Sequence, residues 1–414
     1  MERDEYTPET EAREISEVSE FEEPTEDKKE KKQKGVIIFL IVITVLCLLA
    51  IGVTTAGIIY IKKNFNYKYN EITSKPEDLG FEAVKSDEVV NIALFGIDTT
   101  NPKSFKGRSD SIMVLSINKT DKKIKLISVL RDSFVPIDRE TYTDFRKINA
   151  AYASGGPELA IKTLNNTFAL DISEYATVNF FGMAEIIDTM GGVEVPVTAK
   201  EVRLINDGVR QHCKELGISA DEHTVSSSGT QKLNGIQAVA YSRIRYTANA
   251  QGTANDYGRT DRQRYVLSQL FKGISSKSAS EYVTLIKALS PYCETSLSYT
   301  EILGLAVDVL INSPTFEETR IPSVDYVMKA PQTSSGAINY YDLNFAANII
   351  HAFIYEDVKP EDFIALNGVE KNDWYSEGYQ KPKIVSYEER QKKKQEKQAK
   401  VPTEDNSSSD NKQE

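Results

Sequence analysis

An uncharged apolar segment near the N-terminus constrains this chain more than any other sequence feature. Residues 35–61 contain no Asp, Glu, Lys or Arg. The segment exceeds the ~20 apolar residues that an α-helix needs to cross the hydrocarbon core of a bilayer. A cleaved signal peptide would start closer to the N-terminus and end at small residues, whereas this segment follows a polar head at residues 1–34. The pattern therefore predicts a single transmembrane helix.

Lysine positions indicate how this helix is oriented. Five lysines lie within residues 28–34, and three lie within residues 62–68. Lysine is enriched on the cytoplasmic side of membrane helices. We therefore expect a single-pass protein of the cell membrane with a cytoplasmic N-terminus and an extracytoplasmic main domain.

Composition divides the rest of the chain. The head at residues 1–34 has twelve acidic and two basic residues before its lysines, so it is predicted to be disordered and cytoplasmic. Residues 62–87 are interpreted as a stalk, residues 88–375 as the extracytoplasmic main domain, and residues 376–414 as a disordered polar tail. The net charge of −11 argues against binding of nucleic acid.

Apolar periodicity in the main domain predicts an α/β fold. The short apolar run at residues 89–98 is typical of a buried strand, and a β-hairpin follows at residues 111–130. Helices and strands then mix without a strict βαβ repeat, which favours a central mixed β-sheet flanked by helices. Helical patterns are predicted within residues 155–170, 178–197, 233–246, 260–274, 300–312 and 341–354.

Two cysteines fall in the main domain. A pair in an exported domain can form a disulfide, but no pattern brings Cys213 and Cys293 together, and two separate residues are the simpler interpretation. The histidines, His212, His223 and His351, do not have the spacing of a Cys/His metal site.

The hairpin carries charged residues at its open end. Its turn falls near Thr120, so opposed residue numbers sum to about 241 and Asp110 faces Arg131. Asp98 ends the preceding strand, and its carboxylate reaches the same rim if the two strands are neighbours. Asp98 and Asp110 are then candidate Mg²⁺ ligands, with substrate phosphate completing the coordination. The alternatives are a structural Asp110–Arg131 ion pair or simple solubility at a strand end.

Recurring arginines favour a functional interpretation. Two lie in the sequence SRIRY, where an extended backbone would point both side chains the same way. Others lie in NDYGRTDRQRY, where Thr260 and Gln263 fit a capping box and predict a helix start. Arginine in place of lysine is typical of bidentate phosphate recognition. The predicted pyrophosphate-binding set is Arg108, Arg131, Arg243, Arg245, Arg259 and Arg262.

Other phosphate-binding and hydrolytic motifs are missing from the sequence. It contains neither a Gly-rich Walker motif nor a Gly-x-Ser-x-Gly nucleophile motif. Phosphoryl transfer driven by positioning and charge neutralisation needs no nucleophilic side chain. Arginines with carboxylate-bound Mg²⁺ therefore indicate chemistry on a pyrophosphate or similar group.

Several motifs together resemble those of the LytR–CpsA–Psr family. The segments NIALFGID, GRSDSIMVLSIN, LISVLRDSFVPI, KINAAYASGG, VNFFGMAEIIDTMGGVEVPV, LNGIQAVAYSRIRY and YGRTDRQRYV occur in the family's order within about residues 89–275. Departures are Leu130, where members often have proline, and Ala150, where they often have histidine. The resemblance implies a membrane-anchored enzyme that moves a glycopolymer, such as wall teichoic acid or capsule, from polyprenyl pyrophosphate to a peptidoglycan hydroxyl.

The same resemblance implies a division of roles at the site. Asp98 and Asp110 would hold Mg²⁺, and the six arginines would hold the pyrophosphate. Asp132 would orient Arg131, so the implied catalytic residues are Arg108, Asp110, Arg131 and Asp132.

The family fold also implies a hydrophobic lipid pocket between sheet and helices. Ordinary core residues have the same composition, so the pattern alone does not separate the two roles. Candidates for the pocket are Leu164, Phe168, Phe181, Ile186, Ile187 and Met190. Two alternative functions stay open: a polyprenyl-pyrophosphate hydrolase, and a non-catalytic envelope regulator or receptor that binds lipid-linked polyanions.

Overall fold

The computed structural model places most of the main domain. It describes residues 67–82, 86–99, 101–139, 141–275, 290–312 and 314–399, with positions 281, 284, 287 and 288. The predicted head, transmembrane helix and part of the stalk lie outside the described residues, as does the end of the tail. Within the described residues, no helix is long and apolar enough to cross a bilayer.

A seven-stranded mixed sheet organises the domain. Its order is β1 (Lys68–Tyr69), β10 (Cys293–Thr295), β7 (Glu174–Asn179), β2 (Val89–Ile97), β3 (Ser109–Asn118), β4 (Lys123–Val129) and β11 (Thr315–Ile321). Strand β2 pairs antiparallel with β3 and parallel with β7, which confirms the predicted mixed sheet. Two separate ribbons pair β5 (Phe134–Asp138) with β6 (Thr143–Lys147), and β8 (Val193–Val197) with β9 (Gly229–Leu233).

Strands β3 and β4 form the predicted hairpin in the predicted register. Val114 pairs with Ile127, so opposed residue numbers sum to 241. Beyond the last paired residues, the side chains of Asp110 and Arg131 meet in an ion pair. The hydrophobic alternation fixes this register, because a shift by one residue would move every apolar side chain to the other face.

Helices cover both faces of the sheet. In chain order they are α1 (Asn149–Phe168), α2 (Phe180–Thr189), α3 (Ala199–Leu216), α4 (Gly235–Ser242), α5 (Asn255–Ser275), α6 (Tyr299–Asn312), α7 (Leu343–Glu356), α8 (Pro360–Asn367), α9 (Trp374–Glu377) and α10 (Tyr387–Ala399). The predicted helix at 155–170 corresponds to the main part of α1, which is interrupted by non-helical backbone at Gly155 and Gly156.

The two faces of the sheet are packed differently. On one face, Val114 and Ile127 pack with buried residues of α1 and α7 in the largest apolar cluster. On the other face, Ile92 and Ile117 pack in a smaller cluster with partly buried residues of α5 and α6. A third cluster joins α2, α3, α4, α5 and the β8–β9 ribbon. The smaller packing on the second face leaves space between the sheet and α5.

Two predicted boundaries of the main domain, at residues 87/88 and 375/376, differ from the structure. Leu79 and Phe81, placed in the stalk by the sequence, are buried in the main core. The predicted disordered tail contains α10, whose first residue, Tyr387, packs against the same core. Arg390 of this helix pairs with Glu370 at 3.3 Å. Composition does not reveal that these segments pack on the domain, because most of their residues are polar and only a few in each make the packing contacts.

Helix α5 also begins earlier than predicted. Its first residue is Asn255. Asp256 lies in the first turn, where the helix dipole stabilises a negative charge. The Thr260 hydroxyl donates to the Asp256 carbonyl at 2.9 Å, which is a contact inside the helix. The capping box predicted at Thr260 is therefore wrong, and the arginines at 259 and 262 lie within the helix.

Candidate active site

The ends of β2, β3 and β4 place charged side chains around two polar pockets. The inner polar pocket, of about 240 Å³, is lined by Asp98, Asp110, Phe180, Arg243, Arg245, Arg259 and Gln263. The outer polar pocket, of about 480 Å³, includes Arg108, Arg131, Asp132, Lys147, Asn149 and Tyr246 in its lining. Asp98, Asp110 and Arg245 border both pockets. The two pockets therefore share one charged boundary.

Arg131 is held by several carboxylates. Its guanidinium pairs with Asp110, and its Nε lies 3.7 Å from Asp256 Oδ1 and 3.9 Å from Asp132 Oδ2. Asp132 is also bound by Lys147, with 3.0 Å between Nζ and Oδ1. Asp110 and Asp256 thus restrain Arg131 at least as closely as Asp132, which the sequence predicted as its orienting residue.

Arg243 and Arg245 follow α4 and reach the inner polar pocket. Helix α4 begins with a capping box between Asn234 and Gln237, which fixes its N-terminus. Arg243 ends the helix with a non-extended backbone, so the prediction that Arg243 and Arg245 lie together on an extended segment is wrong. Its guanidinium carbon lies 4.4 Å from the centre of the Phe180 ring, and its Nη2 lies 3.5 Å from Asp98 Oδ1.

The side chains of two arginines have no ionic or hydrogen-bonded partner among the described residues. Arg108 is exposed, and Arg245 is partly buried between the two polar pockets. Unpaired guanidiniums that face a pocket leave their donors available for an anion, and bidentate recognition of phosphate is the interaction that they favour.

The two arginines of α5 have different surroundings. Arg259 lines the inner polar pocket and pairs with Asp256, with 2.8 Å between Nη2 and Oδ1. Arg262 is fully buried, with its Nε 2.7 Å from Glu201 Oε1. Its other nitrogens donate to the carbonyls of Ile244 and Thr247 at 3.3 and 2.9 Å. The geometry corrects the prediction that Arg262 binds pyrophosphate, because its donors face protein groups.

An apolar cavity adjoins the inner polar pocket. It has a volume of about 310 Å³ and lies between strands β2–β4 and β7, helix α2 and helix α5. Phe180 and Gln263 line both this cavity and the inner polar pocket. A ligand with an apolar chain and a polar head can therefore occupy both spaces at once.

Two of the six predicted lipid-pocket residues line the apolar cavity, and the other four do not. Ile186 and Met190 line the apolar cavity. Leu164 and Phe168 belong to the core on the opposite face of the sheet, which corrects their assignment. Ile187 is fully buried within the third apolar cluster, and Phe181 is 5% exposed with its ring 4.7 Å from that of His212. Further lining comes from Met113, Leu115, Leu126, Leu267, Leu270 and Phe271.

Two carboxylates and three arginines line the inner polar pocket. Burial raises the pKa of the Asp98 carboxyl, Arg243 opposes that change, and the negative charge of Asp110 adds to it. No cluster of three or more His, Cys, Asp or Glu residues able to hold a metal was found among the described residues. Asp98 and Asp110 are already paired with Arg243 and Arg131, and their carboxylate oxygens are of the type that Mg²⁺ takes, with further oxygen ligands from phosphate and water.

Four polar residues at the pockets were not predicted from sequence to belong to the site. Asp256 links Arg131 and Arg259, and burial raises the pKa of its carboxyl against the effect of these arginines. Asn149 Nδ2 donates to Asp110 Oδ1 at 3.4 Å. Lys147 and Gln263 line the pockets. All four lie in the motif segments KINA or NDYGRTDRQRY, which was the signal available to find them.

The fold and the site define an α/β protein with a charged pocket beside an apolar cavity. The model of the LytR_cpsA_psr family matches residues 56–347. The chain therefore belongs to the LytR–CpsA–Psr family, as its motifs predicted.

Named relatives cover part of the chain. Biofilm regulatory protein A of Streptococcus mutans is 29% identical over 280 residues, which is 63% of this chain and 63% of that protein. The polyisoprenyl-teichoic acid–peptidoglycan teichoic acid transferase TagU of Enterococcus faecalis is 33% identical over 54% of this chain and 67% of its own. TagV of Bacillus subtilis, named for the same transfer, is 33% identical over 52% of this chain and 51% of its own. The chain thus spans about half to two thirds of these relatives.

Solved structures share the fold. The crystal structure of protein gbs0355 from Streptococcus agalactiae has a TM-score of 0.53 and 22% identity, covering 74% of this chain and 97% of that one. TagT bound to LI-WTA has a TM-score of 0.51 and 21% identity, covering 70% and 99%. These likenesses establish the mixed-sheet architecture.

Proposed function

We propose that this protein is a membrane-anchored phosphotransferase. It transfers a glycopolymer, such as wall teichoic acid or capsule, from a polyprenyl-pyrophosphate carrier to a hydroxyl group of peptidoglycan. The names of the related TagU and TagV proteins support this class of reaction.

One observation carries the proposal: the apolar cavity and the inner polar pocket share Phe180 and Gln263. A polyprenyl pyrophosphate has a long apolar chain attached to a polyanionic head, so it matches both spaces. The cavity is lined almost entirely by apolar groups, which gain free energy when they cover a hydrocarbon chain. Arginines at the cavity mouth then meet the pyrophosphate.

Asp98 and Asp110 are the residues that would hold Mg²⁺. When bound, the ion supplies Lewis-acid stabilisation of charge on the phosphate oxygens. Asp110 lies on β3, Asp98 directly follows β2, and both border the same pocket. Because Asp110 pairs with Arg131 and Asp98 with Arg243, the ion would compete with these two arginines for the carboxylates. Substrate binding would redistribute these pairs, with the arginines passing from carboxylate to phosphate.

The protein's own residues carry the remaining tasks. Arg243, Arg245 and Arg259 bind the pyrophosphate, and Arg108 and Arg131 approach it from the outer polar pocket. The acceptor hydroxyl attacks the sugar-bearing phosphorus from that outer pocket. A new P–O bond forms, the P–O bond to polyprenyl phosphate breaks, and the hydroxyl proton passes to solvent. Fixed guanidinium donors stabilise the charge that develops on the phosphate oxygens.

The membrane anchor belongs to the same proposal. Residues 35–61 would cross the membrane once and place the catalytic domain on the outer side. This position gives the apolar cavity access to a lipid carrier and the outer polar pocket access to peptidoglycan.

A transfer assay tests the function. The full-length chain is incubated with Mg²⁺ and a prenyl-pyrophosphate glycan labelled in its sugar, with and without peptidoglycan. The proposal predicts labelled peptidoglycan in the first case and little release in the second. Equal release of labelled glycan phosphate in both cases would identify a hydrolase, and tight binding without turnover would identify a receptor.

A further inference from the structure

A second polar cavity lies between α3 and α4 and has no role in the steps above. Its volume is about 250 Å³, which is more room than one or two water molecules need. Gly208, Gln211 and His212 of α3 line it, together with Arg243 and Arg245 from the segment after α4. We call this space the α3–α4 cavity.

His212 is the unusual residue of this cavity. It is 2% exposed, and neither of its ring nitrogens has a hydrogen-bond partner among the described residues. Buried polar side chains nearly always find partners, because an unpaired donor or acceptor loses its hydration without compensation. An imidazole that borders a cavity with both nitrogens unpaired can take its missing partners from whatever fills that cavity, either water or a ligand.

Packing around the cavity makes it a preformed space. At Gly208 an added Cβ would lie only 2.9 Å from the Cβ of Ala240, so α3 and α4 are in close contact there. The buried pair of Arg262 and Glu201 joins α5 to α3 and also holds the carbonyl of Ile244. The walls of the cavity are therefore fixed by helix packing, as is common for ligand sites.

The cavity adjoins the inner polar pocket. Arg243 and Arg245 line both spaces. A group that is covalently attached to a pyrophosphate in the inner polar pocket can therefore extend into the α3–α4 cavity past these two arginines. The outer polar pocket stays available to the acceptor.

The groups in the cavity favour a hydroxyl-rich ligand. Burial lowers the pKa of His212, Arg243 adds to that change, and Glu215 opposes it. A neutral imidazole presents one donor and one acceptor. Sugar hydroxyls both donate and accept, so two of them can pair with both nitrogens, whereas a deprotonated phosphate oxygen only accepts and offers no proton to the acceptor nitrogen.

We propose that the α3–α4 cavity binds the sugar residue attached to the carrier pyrophosphate, with His212 as a hydrogen-bonding contact. This inference rests on the proposed function, since it needs a glycosylated pyrophosphate as the ligand.

Binding of two probes to the full-length chain in detergent tests the inference. The probes are farnesyl pyrophosphate and the same pyrophosphate carrying N-acetylglucosamine. The sugar-bearing probe is expected to bind about tenfold more tightly, the value of one well-formed hydrogen bond. His212→Phe should lose this difference, and His212→Gln should keep most of it. His223→Phe is the matched control, because His223 lies in the same part of the fold outside the cavity lining.

The outcomes separate the inference from the function. If both probes bind the wild type equally, or if His212→Phe keeps the sugar preference, the inference is overturned and pyrophosphate binding stands. If neither probe binds, the proposed function fails and the inference fails with it. Should His212→Phe not fold, NMR of ¹³C-labelled histidine in the wild type decides: a ring shift with only the sugar-bearing probe supports the inference, and no shift overturns it.

Discussion

Arg259 and Arg262 are three positions apart in α5, yet they lie in two different regions of the molecule. Arg259 faces the inner polar pocket beside Asp256. Arg262 is sealed against Glu201 with no exposed side-chain surface. The comparison teaches that one arginine-rich motif serves two purposes. Arg259 lines a pocket where an anion can bind. Arg262 instead joins α5 to α3 and to the loop after α4.

The largest expected effect is on stability, from the buried region. Arg262→Met should lower the free energy of unfolding by about 3–5 kcal/mol, because it leaves the Glu201 charge buried without its partner. Urea unfolding measures this. The double variant Arg262→Met with Glu201→Leu is the control and should recover much of the loss. Wild-type stability in the single variant would show that the buried pair does not hold α3 to α5.

The next effect is on rate, from the open region. Arg131→Lys should reduce transfer roughly 10- to 100-fold, since one charge-assisted hydrogen bond is worth about 1.5–3 kcal/mol and lysine lacks the bidentate fork. The melting temperature should change little. Arg146→Lys on β6 is the matched control. Arg146 also pairs with a carboxylate, with 3.5 Å between its Nε and Asp144 Oδ2, but it does not line the outer polar pocket. Unchanged turnover for Arg131→Lys would remove Arg131 from the phosphate-binding set.

A smaller effect is expected in the apolar cavity. Ala176→Phe places a ring among the lining residues and should weaken binding of a long-chain prenyl pyrophosphate about tenfold, since burial of one apolar side chain is worth ~1.5–3 kcal/mol. Isothermal titration measures the affinity. A phosphate-only ligand such as inorganic pyrophosphate serves as the comparison and should bind as it does to the wild type. Equal weakening of both ligands would place the lipid chain elsewhere.

The smallest effect concerns Asp98 and has the opposite sign from Arg262. Its pKa is raised from the ordinary value of 3.8, so the folded state binds this proton more tightly than the unfolded chain does. Ionised Asp98 therefore costs stability at neutral pH, and the cost disappears as pH falls through the raised pKa towards 3.8. Asp98→Asn should be slightly more stable than wild type at pH 7 and lose that advantage in acid. Thermal melts across pH check this, and a less stable variant at pH 7 would contradict it.

The sequence correctly predicted the register of the β3–β4 hairpin and the meeting of Asp110 and Arg131 at its open end. Val114 and Ile127 pair as the turn arithmetic requires, because side-chain alternation and a short turn fix the register locally. The same arithmetic brought Asp110 to Arg131. Asp98 followed because β2 and β3 are neighbours in the sheet.

Other features depended on tertiary contacts that leave no local signal. Arg259 and Arg262 look alike in sequence, and only the position of Glu201, 61 residues away, separates them. Phe168 ends α1 and Met190 directly follows α2, and both are apolar, yet Phe168 packs in the core and Met190 lines the cavity. A lipid cavity and a core are lined by the same residue types and differ in whether the space between the side chains is filled, so residue type does not distinguish them.

A crystal structure of the chain with farnesyl pyrophosphate and Mg²⁺ tests the central claim most directly. The account predicts the prenyl chain between the sheet and α5, and the phosphates within hydrogen-bond distance of Arg243, Arg245 and Arg259. Asp98 and Asp110 should bind the metal, and Arg262 should still be paired with Glu201. Phosphates bound outside the inner polar pocket, with the apolar cavity empty, would contradict the account.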